Sequence, residues 1–288
     1  VLYEVPMMLE EQNLRDIVCR ELDLKYDKCD LSDWTNMLER VENRDKTVKI
    51  ALVGKYTKLH DAYLSVVEAL SHAGYENSAI IDIKWVDAET VNKDTVESLL
   101  KDCQGILVPG GFGDRGIEGM VCASNYARVN NIPYLGVCLG MQIAVIEYAR
   151  NVLNMENANS TEFDLETKYP VIALMPDQFG NIMGGTMRLG AYPCKVKEKT
   201  MLHKCYGDLN ISERHRHRYE FNNDFREQMI ENGLTIAGTS PDGKLVEAVE
   251  VEKNKFHVGV QYHPEFKSRP NRANPIFKGF INAAVSML

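Results

Sequence analysis

Apolar and polar positions along the chain fall into two regimes. Residues 7–22 place Met8, Leu9, Leu14, Ile17, Val18 and Leu22 at helical spacing with acids between them. Residues 32–41 repeat that period around Trp34, Met37 and Leu38, behind a capping Ser32. From there short apolar runs alternate with helical periods. Strands are predicted at 48–54, 80–86, 106–108 and 134–137, and helices at 62–72, 95–100, 118–129 and 141–150. Continuous apolar strands separated by helices imply a mostly parallel central sheet with helices on both faces. Beyond Pro170 the pattern turns strand-rich, with runs at 171–175, 186–196, 218–221, 234–239, 246–251 and 257–261 and a closing helix at 275–287. Some of these runs would form a small antiparallel extension, the last one completing the main sheet. The expectation is an α/β domain over residues 47–288, preceded by a helical leader and linker over residues 1–46.

Composition narrows the function classes. The 33 Lys and Arg against 41 Asp and Glu give a net charge of −8, which argues against nucleic-acid or membrane-surface partners, both of which favour a basic face. The Arg214 to Arg218 cluster is a local exception, readable as a solvated basic turn or as an element that recognises an anion or glutamine. No apolar run approaches the ~20 residues needed to cross a bilayer. Seven cysteines, at positions 19, 29, 103, 122, 138, 194 and 205, are odd in number and scattered. Without a Cys-x-x-Cys pair they suggest neither a zinc site nor a redox dithiol, and a reducing cytoplasm is their simplest home. His215 and His217 lack nearby Cys or carboxylate ligands at metal spacing, so no metal is expected.

Candidate chemistry gathers where apolar runs end. Gly136-Val137-Cys138-Leu139-Gly140 closes the 134–137 run and opens a helical stretch, the arrangement of a nucleophile elbow with a thiol as nucleophile. A thiol at a helix N-terminus is favoured as thiolate by the backbone N–H groups and the macrodipole. About 125 residues on, Gly259-Val260-Gln261-Tyr262-His263-Pro264-Glu265 offers an imidazole as base and a carboxylate to orient it. A third run, Ile106-Leu107-Val108-Pro109-Gly110-Gly111-Phe112-Gly113, ends in a glycine-rich turn. The N–H groups of Gly110 or Gly111 can form half of an oxyanion hole, with Leu139 as the other half.

These motifs, with Gly-Val-Cys-Leu-Gly-Met-Gln at 136–142, resemble the class I (triad-type, flavodoxin-like) glutamine amidotransferases. Three further segments look like the glutaminase half of the CTP synthase family: Ala158-Asn159-Ser160-Thr161-Glu162-Phe163, Met183-Gly184-Gly185-Thr186-Met187-Arg188-Leu189-Gly190 and Glu213-Arg214-His215-Arg216-His217-Arg218-Tyr219-Glu220. The resemblance spans Val1 to about Asn282. It implies a Cys138-His263-Glu265 triad and L-glutamine as substrate, held by Gly111, Leu139, Gln142, Glu162 and Arg218, with Glu162 facing the ammonium. It also implies GTP as activator, acting through a lid that contains Arg188 and through Phe112. This domain would need no cofactor of its own. ATP, UTP and magnesium would belong to an amidoligase (synthetase) domain that receives the ammonia.

The opening Val1-Leu2-Tyr3-Glu4-Val5-Pro6 resembles the closing stretch of that synthetase domain, and the chain has no Gly-x-x-x-x-Gly-Lys-Ser/Thr phosphate loop. The expectation is therefore a fragment, monomeric by itself, of a cytoplasmic enzyme that is a homo-tetramer at full length. A γ-glutamyl thiol hydrolase of the same fold, an amidotransferase serving another synthetase, and an inactive interaction module are the alternative readings.

Overall fold

A computed structural model describes residues 2–25, 29–174 and 187–288 of the chain. The leader folds as α1 (Val5–Glu11), α2 (Leu14–Glu21) and α3 (Ser32–Glu42). One continuous helix was expected over 7–22. The chain instead breaks at Asn13, whose φ of 57° is left-handed, a conformation in which asparagine commonly ends a helix. Neither α1 nor α2 buries a residue, whereas α3 seats Met37 and Val41 against Tyr75.

The α/β body then runs β1 (Lys46–Gly54), α4 (Leu64–Glu76), β2 (Ala79–Asp87), α5 (Val96–Leu100), β3 (Gly105–Val108), α6 (Ile117–Val129), β4 (Tyr134–Val137) and α7 (Leu139–Asn151). Two short strands follow, β5 (Asn159–Ser160) and β6 (Pro170–Leu174). After them come β7 (Arg188–Val196), α8 (Met201–Tyr206), β8 (Asn210–His217), β9 (Tyr219–Phe221), α9 (Arg226–Glu231), β10 (Leu234–Thr239), β11 (Val246–Val251), β12 (His257–Val260) and α10 (Pro275–Val285). The Met183-Gly184-Gly185-Thr186 stretch lies outside the described residues.

Nine strands form the main sheet in the order β2-β1-β3-β4-β12-β11-β10-β7-β8. The first five are mutually parallel. The remaining four attach antiparallel. A second sheet, β5-β6-β9, stands beside it. β1 shows why the parallel strands read as unbroken apolar runs. Ala51 and Val53 face the core shared with α6 and α7, while Ile50 and Leu52 face the core shared with α4 and α10. With helices on both faces, the inner strands β3, β4 and β12 bury both of their sides, while the edge strand β2 leaves Ile80 and Asp82 exposed. The last strand enters the middle of the sheet beside β4, as the apolar run at 257–261 led us to expect, and sets the loop after it next to the elbow.

Candidate active site

The site is built from loops that leave the carboxyl ends of four neighbouring parallel strands, β1, β3, β4 and β12, the edge where α/β sheets place their ligands. Cys138 follows β4 directly and occupies the N-cap of α7 with φ 52° and ψ −101°. Such a backbone for a residue with a Cβ stores ~1–3 kcal/mol of strain. The flanking glycines act differently from the nucleophile. A Cβ on Gly136 would collide with the backbone of Gly140, and one on Gly140 would collide with the Val108 carbonyl. They supply room for the crossing, and the cysteine itself carries the positive φ. The Cys138 amide donates to Val260 O at 2.7 Å, which ties the elbow to β12. Its thiol sits over the first turn of α7, where amides such as Leu139 N–H have no intrahelical partner.

His263 lies just past β12. Its Nδ1 is 2.8 Å from Glu265 Oε1, and its ring is a neighbour of Cys138, since a Cβ on Gly110 would meet both His263 Cε1 and Cys138 Cβ. Gly110 makes room for the ring, because a Cβ there would come within 2.8 Å of His263 Cε1. The loop is pinned by His263 N donating to Arg214 O at 2.7 Å, and Phe266 stacks on the imidazole at 5.4 Å. Burial alone would push His263 down, but the negative charge of Cys138 and Glu265 together outweighs it and raises the imidazole to about 10. The imidazole is thus held as an imidazolium beside the nucleophile, with Glu265 fixing Nδ1–H. Other thiols lack such partners. Burial pushes Cys103, Cys194 and Cys205 up to about 12.

A cleft opens beside the nucleophile, lined by Gly111, Phe112, Cys138, Gln142, Glu162, His217, Arg218 and Tyr219. Gly111 stands against the Leu139 side chain, so the two halves of the expected oxyanion hole are neighbours. Gln142 is buried, and its Nε2 donates to Tyr219 O at 3.0 Å and Gln261 Oε1 at 3.3 Å. It forms the cleft wall instead of lying on the helix surface. Glu162 follows β5, and its Oε1 accepts from Gly113 N at 2.9 Å. Arg218 is the residue where the chain passes from β8 to β9, and its buried Nε has no partner among the described residues. A carboxylate and a guanidinium at one cleft suit the two charged ends of an α-amino acid.

Several residues at the site were not found from the sequence. Lys55 follows β1 and is 3% exposed. Its Nζ donates to the carbonyls of Phe112 and Gly113 and so braces the glycine-rich turn. Burial lowers its ammonium to about 8, although Glu162 and Asp114 pull the other way. Its place at the end of a predicted strand, on the same edge as the other loops, was the available signal. Gln261 Nε2 lies 3.7 Å from Cys138 Sγ. Arg216 lies over the Phe112 ring at 5.8 Å, beside the cleft, and Phe112 is 46% exposed.

Two expectations are corrected. The 214–218 cluster is not a turn: Arg214 through His217 belong to β8, with Glu213, His215 and His217 inward and the arginines outward. Arg188, expected as an effector contact, points into the fold. Its Nη1 is 2.6 Å from Glu247 Oε1 and 3.6 Å from Glu220 Oε1, and it covers the Tyr192 ring at 4.4 Å. Its charge is already neutralised there. Beside it His215 Nδ1 and His217 Nε2 meet at 2.9 Å, and burial first, then Arg188, lowers these imidazoles to about 2 and about 3.

A cavity of about 320 Å³ lined by Lys199, Lys204, Glu250, Glu252 and His257 lies at the foot of β12, the opposite end from His263. Among the described residues no cluster of three or more His, Cys, Asp or Glu could hold a metal, and no helix is long and apolar enough to cross a membrane.

The class-I glutamine amidotransferase family model matches residues 58–283. The chain is 55% identical to the CTP synthase of Clostridium kluyveri and 57% identical to that of Clostridium beijerinckii, in each case over 99% of its own length and 53% of the relative's. It therefore spans about half the length of the curated relatives it matches. Among solved structures, the Trypanosoma brucei CTPS glutaminase domain with bound acivicin superposes with a TM-score of 0.79 at 40% identity, over 83% of this chain and 94% of that one.

Proposed function

Because the chain belongs to the class-I glutamine amidotransferase family, we propose that it is the glutaminase domain of a CTP synthase and hydrolyses L-glutamine to glutamate and ammonia at Cys138. The observation that carries this reading is His263 beside Cys138, with its Nδ1 2.8 Å from Glu265 Oε1, at a cleft with one carboxylate and one guanidinium.

Glu162 pairs with the α-ammonium of glutamine and Arg218 with its α-carboxylate, while Gln142 walls the side chain toward the thiol. The Cys138 thiolate attacks the amide carbon, and the oxyanion rests on N–H groups from the Gly110-Gly111 turn and Leu139. The His263 imidazolium gives its proton to the nitrogen as the C–N bond breaks, and ammonia departs. A water deprotonated by His263 then attacks the thioester. The C–S bond breaks, glutamate leaves, and the thiolate beside its imidazolium is restored. Solved relatives support the substrate class, since acivicin occupies the matching Trypanosoma brucei domain.

In the whole enzyme the ammonia serves ATP-dependent amination of UTP to CTP in a synthetase domain that binds ATP, UTP and magnesium. GTP stimulates the hydrolysis, and Phe112 with Arg216 above its ring offers a stacking platform for its base. The full-length enzyme is a cytoplasmic homo-tetramer in this account.

Release of glutamate and ammonia from L-glutamine by the purified chain tests the proposal. Wild type turns over and Cys138→Ala does not. Equal release by both, or release from γ-glutamyl peptides but not from free glutamine, contradicts it.

A further inference from the structure

A series of polar contacts, side chain and backbone, runs from the partly buried Tyr3 of the leader to the loop that carries Glu265. At its outer end, Tyr3 O–H donates to Glu68 at 2.9 Å and lies 3.3 Å from His72 Nε2. The other ring nitrogen, His72 Nδ1, is 3.0 Å from Ser268 Oγ. That hydroxyl accepts from Asn274 N at 3.2 Å, and Asn274 Nδ2 donates to Glu213 Oε1 at 3.1 Å. Tyr206 O–H donates to the same oxygen at 3.0 Å.

The inner end meets the catalytic loop twice. Ser268 N donates to the backbone carbonyl of Glu265 at 3.3 Å, and the charge of Glu265 adds to the burial that raises the Glu213 carboxyl. His72, Ser268, Asn274 and Glu213 are 6%, 6%, 3% and 2% exposed. Hydrogen bonds in series between buried groups restrain one another, while Glu213 Oε2 and Glu265 Oε2 have no hydrogen-bond partner among the described residues.

None of these side chains enters the chemistry proposed for the site. Their common feature is position: they join α4, α10, β8 and the loop 264–268, and one terminus is a leader residue whose ring also packs on Trp34 and Tyr75. From this geometry we propose that Glu213, Asn274 and Ser268 are positioning residues that hold Glu265 in register with His263, and that His72 and Tyr3 make this brace depend on how the leader is seated. The proposal rests on Glu265 being the triad carboxylate.

Its consequence is read at the imidazole. Glu265 steadies the His263 imidazolium, which in turn holds the Cys138 thiolate. The other groups around the ring are His215 and His217 from β8 and the Phe266 face. Those around Glu213 are Tyr206 from α8, Lys267 and Glu265 from the catalytic loop, and Asn274 at the start of α10. A brace that slackens lets Glu265 drift, so the thiolate forms at higher pH.

The test is the pH dependence of Cys138 alkylation by iodoacetamide, alongside kcat and KM for glutamine, in Ser268→Ala, Asn274→Ala, Glu213→Ala, Glu213→Gln and Tyr3→Phe. Ser268→Ala and Asn274→Ala are expected to raise the alkylation midpoint by at least half a pH unit. They should lower kcat about tenfold or more with KM changed less than twofold. Glu213→Gln, which keeps an acceptor oxygen for Tyr206 and Asn274, recovers to within about threefold of wild type, and Glu213→Ala does not. Tyr3→Phe moves the midpoint in the same direction by less.

Alkylation needs no glutamine turnover, so this readout stands apart from the glutaminase reading. An unchanged midpoint in Ser268→Ala and Asn274→Ala, with both proteins folded, overturns the brace. A shifted midpoint in those two with none in Tyr3→Phe overturns the link to the leader.

Discussion

Cys138 combines a strained backbone with the reacting thiol, and the two can be separated by substitution. Alanine at 138 keeps the φ of 52° and its cost, whereas glycine tolerates that backbone. Cys138→Gly is therefore expected to be more stable than Cys138→Ala by ~1–2 kcal/mol in urea unfolding, with both inactive. A more stable alanine variant would mean that the elbow is not strained. Within the triad the losses are non-additive. His263→Ala should cost nearly as much as Cys138→Ala, while Glu265→Gln, which orients His263 without forming bonds, should be at least tenfold less damaging. The reverse order in matched assays contradicts the assigned roles. Glu162→Ala removes the partner of an ammonium, an interaction of ~1.5–3 kcal/mol, so KM for glutamine should rise ~10–100-fold while iodoacetamide still alkylates Cys138. A normal KM would place substrate recognition elsewhere.

At the scale of elements, the parallel strands and both catalytic turns were legible because their runs are apolar on two sides and stop at glycine. β8 was not. Its alternation puts Glu213, His215 and His217 inside and arginines outside, so a strand's period of two was carried by charged and polar residues and left a basic turn as one of two readings. The break at Asn13 was hidden too, since apolar spacing continues across it and only the left-handed φ interrupts the helix. Gln261 and Arg216 lie inside motifs already singled out and Lys55 at the end of a predicted strand, but their contacts with the thiol, the Phe112 ring and the glycine turn come only from the topology.

β12 carries a second consequence. His257 at its foot is fully buried, and burial first, then Arg128, lowers its imidazole to about 3. A group whose folded pKa is depressed costs stability as pH falls below its unfolded value of ~6.5. Between pH 7.5 and 5.5 that amounts to about 1.4 kcal/mol for one histidine. His257→Gln should flatten the wild-type decline in unfolding free energy over this range by about that much. An unchanged slope would mean that His257 is charged in the fold.

For the whole molecule, the parallel half of the sheet presents the elbow, the glycine turn and the His263 loop on one edge, while the antiparallel half carries β8 back to close the cleft with His217 and Arg218. The chain spans 53% of each Clostridium relative and holds no Gly-x-x-x-x-Gly-Lys-Ser/Thr loop, so in the proposed reading the synthetase chemistry is not its own. The 288-residue chain alone is expected to form no CTP from UTP, ATP and glutamine, with weak or absent GTP stimulation. CTP detected by chromatography would overturn that division of labour. The central claim, one activated thiol in a glutamine-shaped cleft, is tested most directly by reacting the chain with acivicin and mapping the adduct by mass spectrometry. The account predicts one equivalent on Cys138, blocked by excess L-glutamine and lost in His263→Ala. An adduct on Cys103, Cys122 or another of the seven cysteines, or none at all, would contradict it.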